Sequence, residues 1–476
     1  MKIRIIFVII TALLIYAQEY ITWENDYPLP YGDGIFSIEQ TSDGGYIAGG
    51  WYYYQLSIDW YNIHARIIKI DAYGNMEWER AFMLSDLLGN EIYSVIENSD
   101  GDFIAAGETD YSGRSRAVMV LKYDKNGNYV WSKFYGSLGS DTRGSVIKET
   151  ADKGYIIAGR EQINDSITVA SLIKLDSNGD SLWTVTNEIG VNSEFRSVII
   201  DNNEFIAVGS SQTADYQSNA LLVKIDSSGN ELWNKLYENM SLTDICKTDS
   251  FYMSSGGIIG KRLIAKLNQL GDTISVKYFD TDIITSMRSF RIADENNFIC
   301  AGIVDTPDEY STNYDWCIIK FDQNLDTLWR HVYGHPIHDS DDTLLGGCKP
   351  TADGGYIAGG DFYNYTHIMK LDENGVVGMI EQDFAGNIED YSIEQNYPNP
   401  FNCVTTIEYN LKENCEVDIS IYNSNGQFVK NLVNKKQNIG NYGITFNGNM
   451  LNSGIYYYQL KVNGIIKDSR RMLYLK

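Results

Sequence analysis

The chain has 476 residues, 43% of them hydrophobic, enough for one large domain and a small one with a full core. Its 63 acidic residues outnumber 38 basic ones, and a formal charge of -25 sets it against nucleic acid and anionic lipid as partners, because like charge repels over the whole surface. After the first residues no stretch approaches the ~20 consecutive apolar residues that a membrane-spanning helix needs, so an integral membrane protein is not expected.

Lys2 and Arg4 precede an apolar run from Ile5 to Tyr16 with a small residue, Ala17, at its exit. Residues 1–17 therefore read as a secretory signal, too short to span a bilayer. The six cysteines form no C-x-x-C pair, which argues against zinc knuckles and thioredoxin-type chemistry. Export permits disulfides, and Cys300 with Cys317 is the best candidate pair, but buried free thiols are the simpler expectation.

Between Ile35 and Gly378 one unit recurs seven times. Its centre is a strand that begins with an aromatic and ends with glycine: Tyr46 to Gly50, Phe103 to Gly107, Tyr155 to Gly159, Phe205 to Gly209, Tyr252 to Gly256, Phe298 to Gly302 and Tyr356 to Gly360. An acidic or amide turn precedes each copy. An apolar strand ending in lysine follows (Lys69, Lys122, Lys174, Lys224, Lys266, Lys320, Lys370), then a D-x-x-G turn and a strand carrying Trp78, Trp131, Trp183, Trp233 or Trp329. The fifth copy, KLNQLGDTIS, lacks the tryptophan.

Four short strands per unit cannot bury both faces of their sheet alone, so such units stack radially. The expected fold is all-β, a seven-bladed β-propeller over residues 18–380. The seventh copy has no tryptophan strand and Ile21 to Tyr27 supplies one, so the N-terminal strand is predicted to close the last blade. A lysine repeated in every unit reads as scaffold, since a site is used once and a packing rule seven times.

Residues 381–390 form a polar linker, after which a different alternating pattern over 391–476 fits a small Ig-like β-sandwich. Its N-Y-P-N-P-F-N start (Asn396 to Asn402), I-Y-N-x-x-G-Q centre (Ile421 to Gln427) and S-G-I-Y-Y-Y end (Ser453 to Tyr458) resemble the type A sorting domain of type IX secretion; the Ig-like module of hook-capping proteins is a cousin. The resemblance implies the type IX secretion machinery as partner through residues 391–476, and a secreted or outer-membrane-surface location. Cys403 stands where that family usually has proline, and Cys415 where glycine is common.

No nucleophile elbow, HExxH helix, P-loop or dinucleotide fingerprint occurs. The D-x-x-G-x-x-x-W pattern is close to sialidase Asp-boxes and to the docking repeats of quinoprotein enzymes, but both are turn motifs without catalytic residues. One carboxylate per turn is too few oxygens for calcium. Acidic residues near the start of the innermost strands, Asp33, Glu91, Asp141, Glu194, Asp244 and Asp342, are candidates for a ring at the channel mouth. Aromatics on the longer loops, Trp51, Tyr53, Trp60, Tyr61, Tyr310, Tyr314 and Tyr363, offer flat faces beside carboxylates, as a sugar-binding surface needs. His331, His335 and His338 with Asp339 could hold zinc if their loop folds back. No cofactor is otherwise implied. The reading is a monomeric, non-enzymatic, exported propeller that binds a glycan or protein ligand; a polysaccharide-acting enzyme and a structural or adhesive spacer are the alternatives.

Overall fold

The structure, a computed structural model, describes residues 21–475 apart from 30–31, 58–59, 84–88, 112–114, 137–140, 165–166, 191, 214, 216, 306–313, 334–342, 363–364, 378–379, 383–390, 397–398, 402–403, 425, 438–439 and 449–450. The expected signal at 1–17 lies outside the described residues. Among the described residues every regular element is a strand, and no helix is long and apolar enough to cross a membrane.

A short strand, β1 (Trp23–Asp26), comes first. Then each of the first six repeats supplies four antiparallel strands, and the seventh supplies three. In the first sheet these are β2 (Asp33–Gln40), β3 (Tyr46–Ser57), β4 (Trp60–Ile70) and β5 (Met76–Phe82). The second holds β6 (Asn90–Glu97), β7 (Phe103–Tyr111), β8 (Ser115–Tyr123) and β9 (Tyr129–Tyr135). The third holds β10 (Thr142–Glu149), β11 (Tyr155–Asn164), β12 (Ile167–Leu175) and β13 (Ser181–Asn187), and the fourth β14 (Asn192–Asp201), β15 (Glu204–Gln212), β16 (Ser218–Ile225) and β17 (Glu231–Tyr237). A single parallel pair, Thr168 with Asn192, links these two. The fifth holds β18 (Ser241–Lys247), β19 (Tyr252–Ile258), β20 (Lys261–Leu267) and β21 (Thr273–Asp280); the sixth holds β22 (Ser286–Asp294), β23 (Asn297–Asp305), β24 (Tyr314–Phe321) and β25 (Thr327–Tyr333). The last has β26 (Thr343–Pro350), β27 (Tyr356–Phe362) and β28 (Tyr365–Leu371), and its fourth strand is β1, with Trp23 opposite Lys370.

The innermost strands β2, β6, β10, β14, β18, β22 and β26 pack each against the next, and β26 packs against β2. Between neighbouring sheets lie the apolar residues of the repeat. Ile47, Ala65 and Ile67 of the first sheet share a core with Ile92, Val95, Phe103 and Met119 of the second, all essentially without solvent contact. Burial of this kind stabilises by roughly 25 cal/mol per Å² of apolar surface, and it is the main term holding a stack of sheets that share few backbone bonds.

The repeated residues have one job each. The D-x-x-G aspartate closes its own turn: Asp71 Oδ1 accepts from the N–H groups of Tyr73 and Asn75, both at 2.8 Å, and Asp372 does the same for Asn374 at 2.9 Å and Val376 at 2.7 Å. The turn's glycine lies under the tryptophan of the preceding sheet, so a Cβ on Gly127 would meet Trp78 at 2.7 Å and one on Gly375 would meet Trp329 at 2.8 Å. The repeat lysine is nearly buried and reaches back to the acidic turn, as in Lys69 to Asp43 at 2.9 Å, Lys174 to Asp152 at 2.9 Å and Lys370 to Asp353 at 2.8 Å.

The tail contains two further four-stranded sheets. One orders β29 (Ile380–Gln382), β34 (Gly440–Asn447), β31 (Val404–Leu411) and β30 (Ser392–Ile393); the other orders β33 (Phe428–Gln437), β32 (Cys415–Asn423), β35 (Gly454–Val462) and β36 (Ile465–Tyr474). Glu381 and Gln382, within the stretch expected to be linker, pair with Tyr442 and Asn441; residues 383–390 lie outside the described residues. The five described cysteines are free and buried. Cys300 stands opposite Ile319 and Cys317 opposite Gly302, so their register does not make them direct partners.

Candidate functional site

The innermost strands build a cavity through a shared irregularity. In six of them the ladder slips one residue directly after the partner of the core strand's last glycine: between Ile35 and Ser37, Ile92 and Ser94, Gly144 and Val146, Phe195 and Ser197, Leu242 and Asp244, and Met287 and Ser289. In β26 the slip runs from Thr343 to Gly347. The glycine is needed because a Cβ there would collide with a carbonyl oxygen of the innermost strand: that of Gly34 for Gly50, of Glu91 for Gly107, of Arg143 for Gly159 and of Ser286 for Gly302. A bulge leaves its extra residue unpaired and re-aims the side chain. The residues so freed, Phe36, Tyr93, Ser145, Arg196, Thr243 and Arg288, all line one cavity of about 500 Å³.

That cavity inverts the charge of the chain. Its lining carries seven basic side chains, Arg143, Lys148, Arg196, Arg262, Arg288, Arg291 and Lys349, against three acidic ones, Glu39, Glu194 and Asp244, an excess of four positive charges among the described residues. Glu39 is ion-paired with Lys349 and lies 3.8 Å from Lys148. Burial pushes the Glu39 carboxyl up, but Lys349 and Lys148 outweigh it and hold it near 2. Burial lowers Lys349 to about 8, with Lys148 and Arg291 adding repulsion against the attraction of Glu39. Arg196 donates to Glu194 at 2.5 Å. Arg143 lies 3.9 Å over the Tyr93 ring and 3.5 Å from Glu108. Arg288 is exposed to the cavity and has no ion pair among the described residues; enclosure by the walls, then Arg196, push its pKa down.

The six acidic candidates do not share a register. Asp33, fully buried, is ion-paired with Arg66 and accepts from the backbone N–H of Leu29 at 2.9 Å and of Thr366 at 2.6 Å, tying the first sheet to the last. Asp244, also buried, accepts from Ser197 at 2.7 Å and from Phe290 N at 2.8 Å, and is ion-paired with Arg291, so it joins three sheets. Glu91 accepts from Tyr93 and Glu194 from Arg196, while the half-buried Asp141 donates its backbone N–H to the Gln162 side-chain oxygen and accepts from the Gln162 N–H at its carbonyl, both at 3.0 Å. Of the five described, Glu194 and Asp244 line the cavity; Asp342 lies outside the described residues.

Trp51 and Tyr53 meet edge to face at 4.9 Å on the β3–β4 hairpin, and Tyr54 stacks on the buried His64 at 5.0 Å. Tyr53 and Tyr54 are exposed, at 37% and 43%. Trp60 and Tyr61 extend β4 opposite Ser57 and Gln55, and Tyr314 begins β24 half-buried. Tyr310 and Tyr363 lie outside the described residues, as do His335, His338 and Asp339. His331 is on β25, its Nε2 2.9 Å from the carbonyl of Asn374 and its ring 5.1 Å from Trp329. Among the described residues no three His, Cys, Asp or Glu side chains converge as a metal site requires.

In the tail several motif residues are core residues. Phe401 is buried against Tyr474 at 5.0 Å and Phe446 at 6.1 Å, and the buried Tyr458 hydroxyl donates to Glu394 O and accepts from Asn396 N, both at 2.7 Å. Residues 395–473 match the secretion system C-terminal sorting domain. The sorting domain makes this chain a secreted or cell-surface protein whose tail engages the type IX secretion machinery.

No curated protein matches the chain. Among solved structures it is similar to a protein of unknown function from Bacteroides caccae (10% identity, 63% of this chain and 94% of that one, TM-score 0.35). It is also similar to a protein described as a 6-phosphogluconolactonase from Bacteroides uniformis (11%, 70% and 95%, TM-score 0.45) and to a GH43 β-1,3-galactosidase with galactodeoxynojirimycin (11%, 56% and 95%, TM-score 0.34). With all three TM-scores below 0.5, none bears on activity.

The basic lining escaped the sequence reading, which followed net charge and acidic loops. Its signal was present: T-R-G-S-V-I-K, S-E-F-R and S-M-R-S-F-R place cations inside innermost strands of an acidic chain.

Proposed function

We propose that residues 18–380 form a seven-bladed β-propeller closed by the N-terminal strand, that residues 391–476 form an Ig-like sorting domain, and that the exported protein binds a glycan or protein ligand outside the cell as a monomer. The cyclic packing of the innermost strands and the pairing of β1 with β28 support the propeller reading. A signal at residues 1–17 accounts for entry into the export route that the tail completes.

The observation that carries the binding reading is the exposed aromatic group on the β3–β4 hairpin. Exposed tyrosine faces held by a ring partner beneath them are preorganised to stack on the apolar face of a sugar. Tyr365 of the last sheet, 39% exposed, adds a further ring on the adjacent sheet. A glycan array probed with the secreted protein tests this, with Trp51→Ala and Tyr54→Ala variants and a chelator arm. Binding lost in both variants and kept in chelator supports a lectin-like hairpin. Equal binding by wild type and variants would sink it.

A further inference from the structure

The cavity between the innermost strands is separate from the aromatic hairpin and calls for a different ligand. We propose that it is a binding site for an acidic saccharide, a sugar carrying carboxylate or sulfate groups, with Arg143, Arg196 and Arg288 holding the anionic groups.

Three features of the lining lead there. First, cations are in excess, and the anions present are engaged: Glu39 with Lys349, Asp244 with Arg291, Glu194 with Arg196. Among the described residues Arg288 has no ion pair, and Arg262 donates to the Thr285 carbonyl at 2.5 Å. Cations gathered in a cavity repel one another, and an entering oxyanion relieves that repulsion while filling the planar guanidinium forks. Second, hydroxyls ring the same space: Ser145, Ser241, Thr243 and Ser286 line it beside the arginines. These are donors and acceptors suited to sugar hydroxyls. Third, Phe36 and Tyr93 form one wall with ring centroids 4.9 Å apart. Arg143 covers the Tyr93 face, while Phe36 is half-exposed. An apolar face for a ring, hydroxyls for its edge and cations for its charge together specify an acidic sugar more closely than a bare inorganic anion. A volume near 500 Å³ is that of a small-ligand pocket.

The negative exterior does not oppose this. Field lines concentrate in a cleft with low-dielectric walls and an excess of one sign of charge, so a small anion responds to the cavity once inside it. The exterior instead excludes long polyanions and leaves short acidic oligosaccharides as the ligand class.

The test is isothermal titration of the secreted protein at low ionic strength with three probes: trigalacturonate, a sulfated galactose disaccharide and uncharged galactotriose. At least one charged probe should bind about tenfold or more tightly than galactotriose, and binding should weaken with added salt. Arg288→Gln and Arg143→Gln should each cost about tenfold, the scale of one charge-assisted hydrogen bond, with an unchanged melting temperature. Leu270→Ser, at an exposed turn residue outside both the cavity and the hairpin, should bind as wild type. Which charged probe wins assigns the anion as carboxylate or sulfate. Galactotriose binding as tightly as both charged probes, no binding by the folded protein, or wild-type affinity in Arg288→Gln would each overturn the proposal. A saccharide lost in Tyr54→Ala but kept in Arg288→Gln would support the hairpin and refute the cavity.

Discussion

A Cβ added to Gly74 would lie 2.7 Å from Cδ2 of Trp23, because the tryptophan of the N-terminal strand lies over the D-x-x-G turn of the first repeat. Trp23 Nε1 also donates to Ala72 O at 2.9 Å, and Tyr27 donates to Gly74 O at 2.6 Å. This is the contact other repeats make between consecutive units, here made between the two ends of the array. Trp23→Ala should therefore cost about 3–5 kcal/mol, as for other large-to-small core changes. Urea unfolding would show it, and the same loss is expected for Gly74→Val, which adds a branched side chain at a backbone φ of +82°. Wild-type stability in Trp23→Ala would mean that the array does not depend on closure.

The repeat was legible because each of its residues is fixed by a backbone demand: glycine by a colliding carbonyl, aspartate by two turn N–H groups, tryptophan by the next glycine. The sixth turn illustrates this. Leu325 takes the glycine position at φ 64°, and the preceding sheet has Ser275 where others have tryptophan, so no ring lies in wait for the leucine side chain. Lys277 instead reaches the Leu325 carbonyl at 2.6 Å. The cavity was less legible, because which side chains enter it depends on a one-residue bulge. Asp33 precedes its bulged residue by three positions, Glu91 by two and Asp141 by four, so residues that look equivalent by eye point different ways.

Asp33 and Arg66 join the first and last sheets without access to water. Arg66→Ala leaves a buried carboxylate without its partner and should cost about 3–5 kcal/mol, whereas Asp33→Asn should cost less. Burial, only partly offset by Arg66, pushes the Asp33 carboxyl up to about 6 from its ordinary value of 3.8. Between those values the folded state holds a proton that the unfolded state has released, so this group's contribution to stability falls as pH rises from about 4 through 6. Wild type should accordingly gain stability relative to Asp33→Asn when urea unfolding is moved from pH 7 to pH 5. An unchanged difference would show that the pair titrates alike in both states.

The four cysteines of the repeats should be chemically silent. Cys246, Cys300, Cys317 and Cys348 are buried, and burial pushes each thiol up, to about 12 for Cys246 and about 11 for Cys317. The thiolate is the reactive form, so in the native protein these four should resist iodoacetamide at pH 8 and label fully only in denaturant. A reductant should leave the melting temperature unchanged. A drop of several degrees on reduction would reveal a disulfide.

Lys349 gives the cavity a pH signature. It faces Glu39 of β2, Lys148 of β10 and Arg291 of β22, and burial with those two cations lowers it to about 8. Glu39, held near 2, and Arg291 keep their charges throughout the neutral and alkaline range. A bound anion favours the protonated lysine, so at pH below about 8 binding moves no proton, and above it binding must take one up. Affinity for the charged saccharide should be flat from pH 6 to 7.5 and then fall by up to about tenfold per pH unit as Lys349 deprotonates. Lys349→Met should bind more weakly at pH 7 and lose the break near pH 8. A wild-type profile that stays flat to pH 9.5 would place the anion out of reach of Lys349, and the arginines alone would then have to account for its affinity.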